Sequence, residues 1–321
     1  MTAQREVFIQ ALFEKAKNDK DIVLISVDMG AGALDKWREE LPEQFFTTGI
    51  AEQNAINFAA GQAAQGKKVF VFLMACWAAR CLEQIRYSCA VANNPITILA
   101  NGIGLGYAPS GPAHCPTEDI AYMRSINNIE IITPANSNFT MQLVDYILDN
   151  PKLRHLRLER NYAKKMESYY AEDWSGYDNF DSNIISQGIN PIKLNGEKAA
   201  LLSCGYMLGR TINSQEQLLA SGTETSVYDI WQAKNIDIKL FYKTFNIYEK
   251  LITVEEQSLS GGFGSMISEL NSDSRLNKPL LRIGLPDKYI FENGSRDHLL
   301  DTNGLSVNNI YKQCARFVNN K

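Results

Sequence analysis

Three residues stand where chemistry could be done. Glu52 follows Gly49-Ile50-Ala51 and opens the run Glu52-Gln53-Asn54. Ile50, Ala51, Ala55, Ile56 and Phe58 around it are apolar. A carboxylate in such company is costly to bury unless it shares a proton with a partner. The alternative is a helix cap, since a carboxylate at the positive end of a helix gains about 0.3–1 kcal/mol. The residue types leave both open. His114 stands in Gly111-Pro112-Ala113-His114-Cys115-Pro116, a loop of the kind that carries ligand-facing groups. A solvent-facing loop histidine fits equally well. Cys115 adjoins it, but neighbouring side chains seldom form a nucleophile–base pair. Arg160 follows the strand-like Leu156-Arg157-Leu158 and could clamp an anion, or stand as an exposed edge charge. His155 and His298 lack such context and read as structural.

Two glycine clusters invite a nucleotide. Gly102-Ile103-Gly104-Leu105-Gly106 follows a strand, but Pro109 and Pro112 interrupt what comes next. A dinucleotide loop needs a helix N-terminus there to hold the pyrophosphate. The cluster reads instead as a loop in close approach to a neighbour. Gly261-Gly262-Phe263-Gly264 reads as a tight turn with helix packing.

The elements that must position these residues form two αβ blocks. In the first, helices are expected from Val7 to Ala16, Glu52 to Ala64, Ala78 to Ala92 and Ser137 to Leu148. Strands are expected at Ile22–Val27, Phe45–Thr47, Val69–Leu73, Ile96–Leu99, Ile129–Ile132 and Leu156–Leu158. The run Val69 to Leu73 is wholly apolar, as in a parallel strand covered on both faces. Alternation of strands and helices argues for a doubly wound parallel α/β sheet. The second block has expected strands near Ala199–Leu202, Ser226–Tyr228, Ile238–Phe241, Leu251–Val254 and Leu280–Ile283, and a last helix near Val307–Val318. The domains are drawn at 1–165 and 186–321 with a linker over 166–185, read as ordered because it carries Tyr169, Tyr170, Trp174 and Tyr177.

Composition narrows the classes. A net charge of −4 offers no strong basic field, which argues against nucleic acid as partner. The longest apolar run, Val69 to Ala79, falls short of the ~20 residues that span a bilayer, so no membrane crossing is expected. The N-terminus shows no signal peptide. Six cysteines without a Cys-x-x-Cys pair, and three histidines, give no structural metal site. They read as free thiols in a reducing cytoplasm.

Taken together, the motifs resemble the transketolase family over nearly the whole chain. Gly49-Ile50-Ala51-Glu52-Gln53-Asn54 is similar to the segment whose glutamate binds the pyrimidine of thiamine diphosphate. Arg80-Cys81-Leu82-Glu83-Gln84-Ile85-Arg86 looks like the helix after it, which places Trp77 where the family has an aromatic residue against the pyrimidine. Gly111-Pro112-Ala113-His114 resembles the family's Gly-Pro-Thr-His loop, and Tyr122 to Asn128 the segment that follows. Leu158-Glu159-Arg160-Asn161 resembles the strand end whose arginine receives the substrate's phosphate. Thr253-Val254-Glu255-Glu256, Gly261 to Gly264, Gly284-Leu285-Pro286-Asp287 and Gly294-Ser295-Arg296-Asp297 look like the family's C-terminal domain. Several signatures in order are far more specific than any one.

The resemblance implies a pyrimidine-binding domain followed by a C-terminal α/β domain, and thiamine diphosphate as cofactor. Glu52, Trp77, Arg80 and Gln84 would lie on the cofactor side. Glu52 would hydrogen-bond a pyrimidine ring nitrogen, and Trp77 would offer the ring a flat apolar surface. His114 would hydrogen-bond substrate oxygens and stabilise charge developing on them. Arg160, with Lys36, would hold the anionic end of the sugar. The implied reaction is transfer of a two-carbon ketol unit from a phosphorylated or otherwise anionic ketose to an aldehyde, with the cofactor as electron sink. The family's magnesium- and diphosphate-binding marker is Gly-Asp-Gly, then an asparagine some thirty residues on. No Asp-Gly dipeptide occurs in this chain. The expectation is a C-terminal subunit of a split transketolase. A second chain would hold Mg2+ and the diphosphate, in a heterotetramer of two plus two.

Departures fall on the sugar side. The family's acidic residue before Gly-Pro-Thr-His is Ser110 here, the loop is longer by Tyr107-Ala108-Pro109, Ala100-Asn101 replaces a histidine segment, and Cys115 a glutamine. Retained cofactor chemistry with an altered sugar is the expectation. Deoxyxylulose-phosphate synthase shares Gly-Ile-Ala-Glu-Gln and Gly-Ser-Arg-Asp but has an Asp-Arg pair where Ala100-Asn101 stands, and is one continuous chain. The beta subunits of 2-oxo acid dehydrogenases differ in their loops. A non-catalytic assembly subunit would have no need of a buried Glu52.

Overall fold

The apolar run at 69–79 supplies a middle strand of a sheet up to Met74 and the start of the 3-10 helix after it. The computed structural model describes residues 3–160 and 182–320. Strands β1 (Ile22–Ser26), β2 (Phe45–Thr47), β3 (Lys68–Met74), β4 (Ile96–Asn101), β5 (Ile129–Ile132) and β6 (Leu153–Leu158) form one sheet in the order β2-β1-β3-β4-β6-β5, every pair parallel. On β3, Phe70 and Phe72 enter one apolar core while Val69, Val71 and Leu73 enter another. Successive side chains of a strand point to opposite faces, so β3 is covered on both. Each such buried side chain contributes roughly 1.5–3 kcal/mol. The helix Glu52–Ala64 packs Ala55, Ala59, Ala60 and Ala63 inward, small residues that let it lie close on the sheet. The helices Gln4–Ala16 and Ser137–Asp149 cover the other face.

The second sheet runs β11-β10-β8-β9-β7, with β7 (Asn190–Leu194), β8 (Ala199–Ser203), β9 (Ser226–Asp229), β10 (Lys250–Ser258) and β11 (Leu280–Leu285). Its pairs are parallel except β7 against β9. Two expectations are corrected. Ile238–Phe241 is not a strand but the start of the helix Ile238–Phe245, capped by the Asp237 carboxylate, which accepts from Leu240 N at 2.7 Å. Phe241 and Phe245, one turn apart, are its buried face. The unforeseen fifth strand is β7. It begins Asn190-Pro191, and its register shifts between Pro191 and Lys193, as a proline allows only at an edge or bulge.

The segment expected as one helix over Ala78–Ala92 is also different. A 3-10 helix covers Ala75–Cys81, an α-turn Leu82–Gln84 and a π-helix Ile85–Val91. Ala75, Ala78 and Cys81 are buried, and that spacing of three matches the 3-10 period. The expected linker over 166–185 falls mostly on residues 161–181, outside the described residues.

The two sheets are joined by backbone and side chains. Thr133 N donates to Trp231 O at 2.9 Å, Ser258 N to Thr117 O at 2.8 Å, and Arg124 Nη1 to Gly261 O at 3.0 Å. Gly261 turns with φ +75 before the helix Phe263–Asp273, the tight turn expected there. Among the described residues no helix is long and apolar enough to cross a membrane.

Candidate active site

Parallel α/β sheets bind ligands beyond the carboxyl ends of their strands. Glu52 follows β2, Trp77, Arg80 and Gln84 follow β3, Ser110 and His114 follow β4, and Arg160 follows β6. All seven therefore lie beyond the carboxyl ends of their strands.

The residues expected on the cofactor side come together. Glu52 is 5% exposed at the start of its helix. Arg80 Nη1 donates to Glu52 Oε2 at 3.3 Å, and Gln53 Nε2 donates to Arg80 O at 3.0 Å. The Arg80 guanidinium also lies 5.9 Å from the ring of half-buried Trp77. Gln84 donates to Glu83 through its amide, while its Oε1 is buried with no hydrogen-bond partner. Glu52 thus has the character of a buried acid with one partner that is itself half exposed, not of a solvated cap.

The residues expected on the sugar side, Lys36 excepted, assemble around Tyr107. Its hydroxyl accepts from Asn101 Nδ2 at 2.8 Å, and the Arg160 guanidinium lies 4.1 Å from its ring centroid. The His114 ring is 6.4 Å away, and His114 Nδ1 is buried with no partner. Asn101 is fully buried and its Oδ1 also has none. Ser110 is exposed in a short turn, Ala108–Ser110. Lys36 is not brought to this cluster. It is exposed on the helix Asp35–Glu40, with Nζ 6.0 Å from the Phe13 ring that Lys17 also approaches. Phe13 stands one turn before the end of a helix that leads into the start of β1, so Lys36 sits toward the opposite edge of the sheet.

The glycine cluster is the close-approach loop expected. A Cβ on Gly102 would overlap the Tyr107 ring, and one on Gly104 would overlap the Glu256 carboxylate. Both have φ in the left-handed region, +76 and +53. Leu105 N donates to Glu256 Oε1 at 3.0 Å.

Behind the cluster lies a buried ionic layer whose roles the sequence did not disclose. Arg296 donates to Glu159 at 2.5 and 3.0 Å, and to Glu256 at 2.7 Å and through a second bond. Burial pushes the Glu159 carboxyl up, and the Arg296 charge opposes it. Arg157 clasps Asp119 at 2.7 and 3.0 Å and reaches Thr133 at 3.0 Å. Burial would raise Asp119, but Arg157 and His155 outweigh it and hold that carboxyl below its ordinary range. His155 is buried beside Asp119 at 3.3 Å, a structural histidine. Burial lifts Glu255 to about 8 against the backbone N–H groups of Gly264 and Phe263. The one signal available in sequence was Glu255-Glu256 closing an apolar run, since two neighbouring acids cannot both be buried there without partners.

The residues present fit the pyrimidine half of thiamine diphosphate. They offer a buried carboxyl, a flat indole and buried polar atoms lacking partners. Among the described residues no group of three or more His, Cys, Asp or Glu side chains could hold a metal ion.

Comparison with known proteins agrees with this geometry. The transketolase pyrimidine binding domain matches residues 1–165, and the transketolase C-terminal domain residues 190–310. The chain belongs to the transketolase family. It is 31% identical over 320 residues to one of the subunits of the apulose-4-phosphate transketolase of Phocaeicola vulgatus, covering 99% of this chain and 98% of that one. It is 30% identical over 307 residues to the 1-deoxy-D-xylulose-5-phosphate synthase of Caldanaerobacter subterraneus subsp. tengcongensis, of which it spans 47%. Among solved structures, a split-gene transketolase described as an inactive beta4 tetramer matches with a TM-score of 0.84 at 26% identity, over 99% of both chains.

Proposed function

We propose that this chain is the pyrimidine-side subunit of a two-chain, thiamine diphosphate-dependent transketolase that moves a two-carbon ketol unit from an anionic ketose to an aldehyde. The observation that carries this reading is Glu52, a buried carboxylate held by a half-exposed Arg80 beside Trp77 at the carboxyl edge of the sheet. When bound, the cofactor supplies an electron sink for carbon–carbon cleavage beside a carbonyl. Glu52 would hold a hydrogen bond to the pyrimidine and so fix the proton distribution of the ring. Trp77 would cover one face of that ring, and Arg80 and Gln84 would orient Glu52 and close its flank. His114 would donate to a substrate oxygen as negative charge develops there. Arg160 would receive the anionic end of the sugar, and Ser110 would face its hydroxyls.

Mg2+ and the diphosphate would be held by a partner chain with a Gly-Asp-Gly segment, two of each chain forming the enzyme. The solved split-gene relative is an inactive tetramer of beta chains, which supports self-association and inactivity without the partner. The Phocaeicola relative is named for apulose 4-phosphate, in keeping with a phosphorylated ketose other than the usual pentoses. Six free thiols suit a reducing cytoplasm.

The test is reconstitution with a Gly-Asp-Gly chain and a choice of donors. Ketose phosphates should turn over, and pyruvate should not. Preference for pyruvate would shift the reading to a deoxyxylulose-phosphate synthase-like reaction. Turnover of ordinary pentose phosphates at normal transketolase rates would refute the altered sugar.

A further inference from the structure

Tyr107 links the sugar-side groups to one another, and it belongs to the stretch that lengthens this loop. Its ring carries Arg160 at 4.1 Å and its hydroxyl is tied to buried Asn101. It is 7% exposed itself and fills the space that a Cβ on Gly102 would occupy. The loop around it is fixed at each step. Gly106 N donates to Ile103 O at 2.9 Å, Ala108 N to Leu105 O at 2.9 Å, and Ser110 N to Tyr107 O at 2.7 Å. Leu105 N is anchored to Glu256 of the second sheet, and Arg296 joins that same Glu256 to Glu159, the residue before Arg160. The Tyr107 ring therefore meets the arginine directly, and the residue before that arginine is held by Arg296. A guanidinium over a ring face makes no hydrogen bond to it with its N–H groups, which stay available for a bidentate anion.

We propose that Tyr107 is a positioning residue which, by stacking under Arg160, sets the preference of this site for sugars with a phosphate terminus over neutral ones. The inference rests on the proposed transketolase reading, in which Arg160 takes the anionic end.

The test compares glyceraldehyde 3-phosphate with glyceraldehyde as acceptors in the reconstituted two-chain enzyme, for Tyr107→Ala, Tyr107→Phe and Arg160→Met. Tyr107→Ala should raise KM for glyceraldehyde 3-phosphate about tenfold to thirtyfold, the scale of a desolvated cation–π contact, with kcat and the glyceraldehyde KM little changed. Tyr107→Phe keeps the ring and should restore the parent KM. A readout free of activity is the Arg160 Nε–Hε resonance. It should be ring-current shifted in the parent and in Tyr107→Phe, and unshifted in Tyr107→Ala. If Arg160→Met abolishes the phosphate preference while Tyr107→Ala keeps it, the role of Tyr107 is refuted and the site reading stands. If Arg160→Met keeps the preference, the site reading itself fails.

Discussion

Arg80 donates to Glu52 across 3.3 Å, joining a side chain that is 53% exposed to one that is 5% exposed. The buried member cannot be reached by water freely, and the exposed member can swing away. Arg80→Ala should weaken thiamine diphosphate binding about tenfold in the reconstituted enzyme, the worth of one hydrogen bond to a charged group. Fluorescence titration through the nearby Trp77 would measure it.

Glu255 gives the chain a pH signature. Its folded-state value of about 8 lies above the ordinary carboxyl value. Between the two, the folded state holds a proton that the unfolded chain has lost. Its stabilising effect is full below the ordinary value and falls as pH rises toward about 8, by up to about 1.4 kcal/mol per pH unit. Glu255→Gln should flatten that decline. Urea midpoints at pH 5, 6.5 and 8 would show it, and an unchanged slope would count against a protonated Glu255.

Arg296 stands between Glu159 and Glu256, both buried, with its own side chain 12% exposed. Removing one member of a buried ionic set leaves charge uncompensated, at a cost of about 3–5 kcal/mol. Arg296→Met should lose stability on that scale at neutral pH, and less in acid, where Glu159 takes up a proton. Denaturant unfolding at both pH values provides the comparison.

Gly102 sits at φ +76 with the Tyr107 ring in the place of a side chain. Gly102→Ala should cost about 1–3 kcal/mol of backbone strain and also displace the ring. Lower thermal stability together with loss of the Arg160 ring-current shift is the expected pair of results.

The strands of the first sheet were legible because their apolar runs match burial on two faces, as on β3. The residue types around Glu52 left a solvated cap and a buried acid both open, and only its place at 5% exposure beside Arg80 decides for burial. Ile238–Phe241 misled because four residues cannot show a period. The Asp237 cap and Phe245 one turn on decide for a helix. Tyr107 was visible only as extra length. Its place depends on two left-handed glycines and on the Leu105–Glu256 bond, which joins residues 151 apart in sequence, and no local pattern encodes such a contact.

The central claim is that this chain supplies the carboxyl group that works against the cofactor. Glu52→Gln keeps the shape and a hydrogen-bonding group but removes the proton function. In the complex reconstituted with the Gly-Asp-Gly chain, ketol-transfer turnover should fall about 100-fold or more, while sedimentation shows the same assembly as the parent. Turnover within a few-fold of the parent, with the assembly intact, would contradict the account.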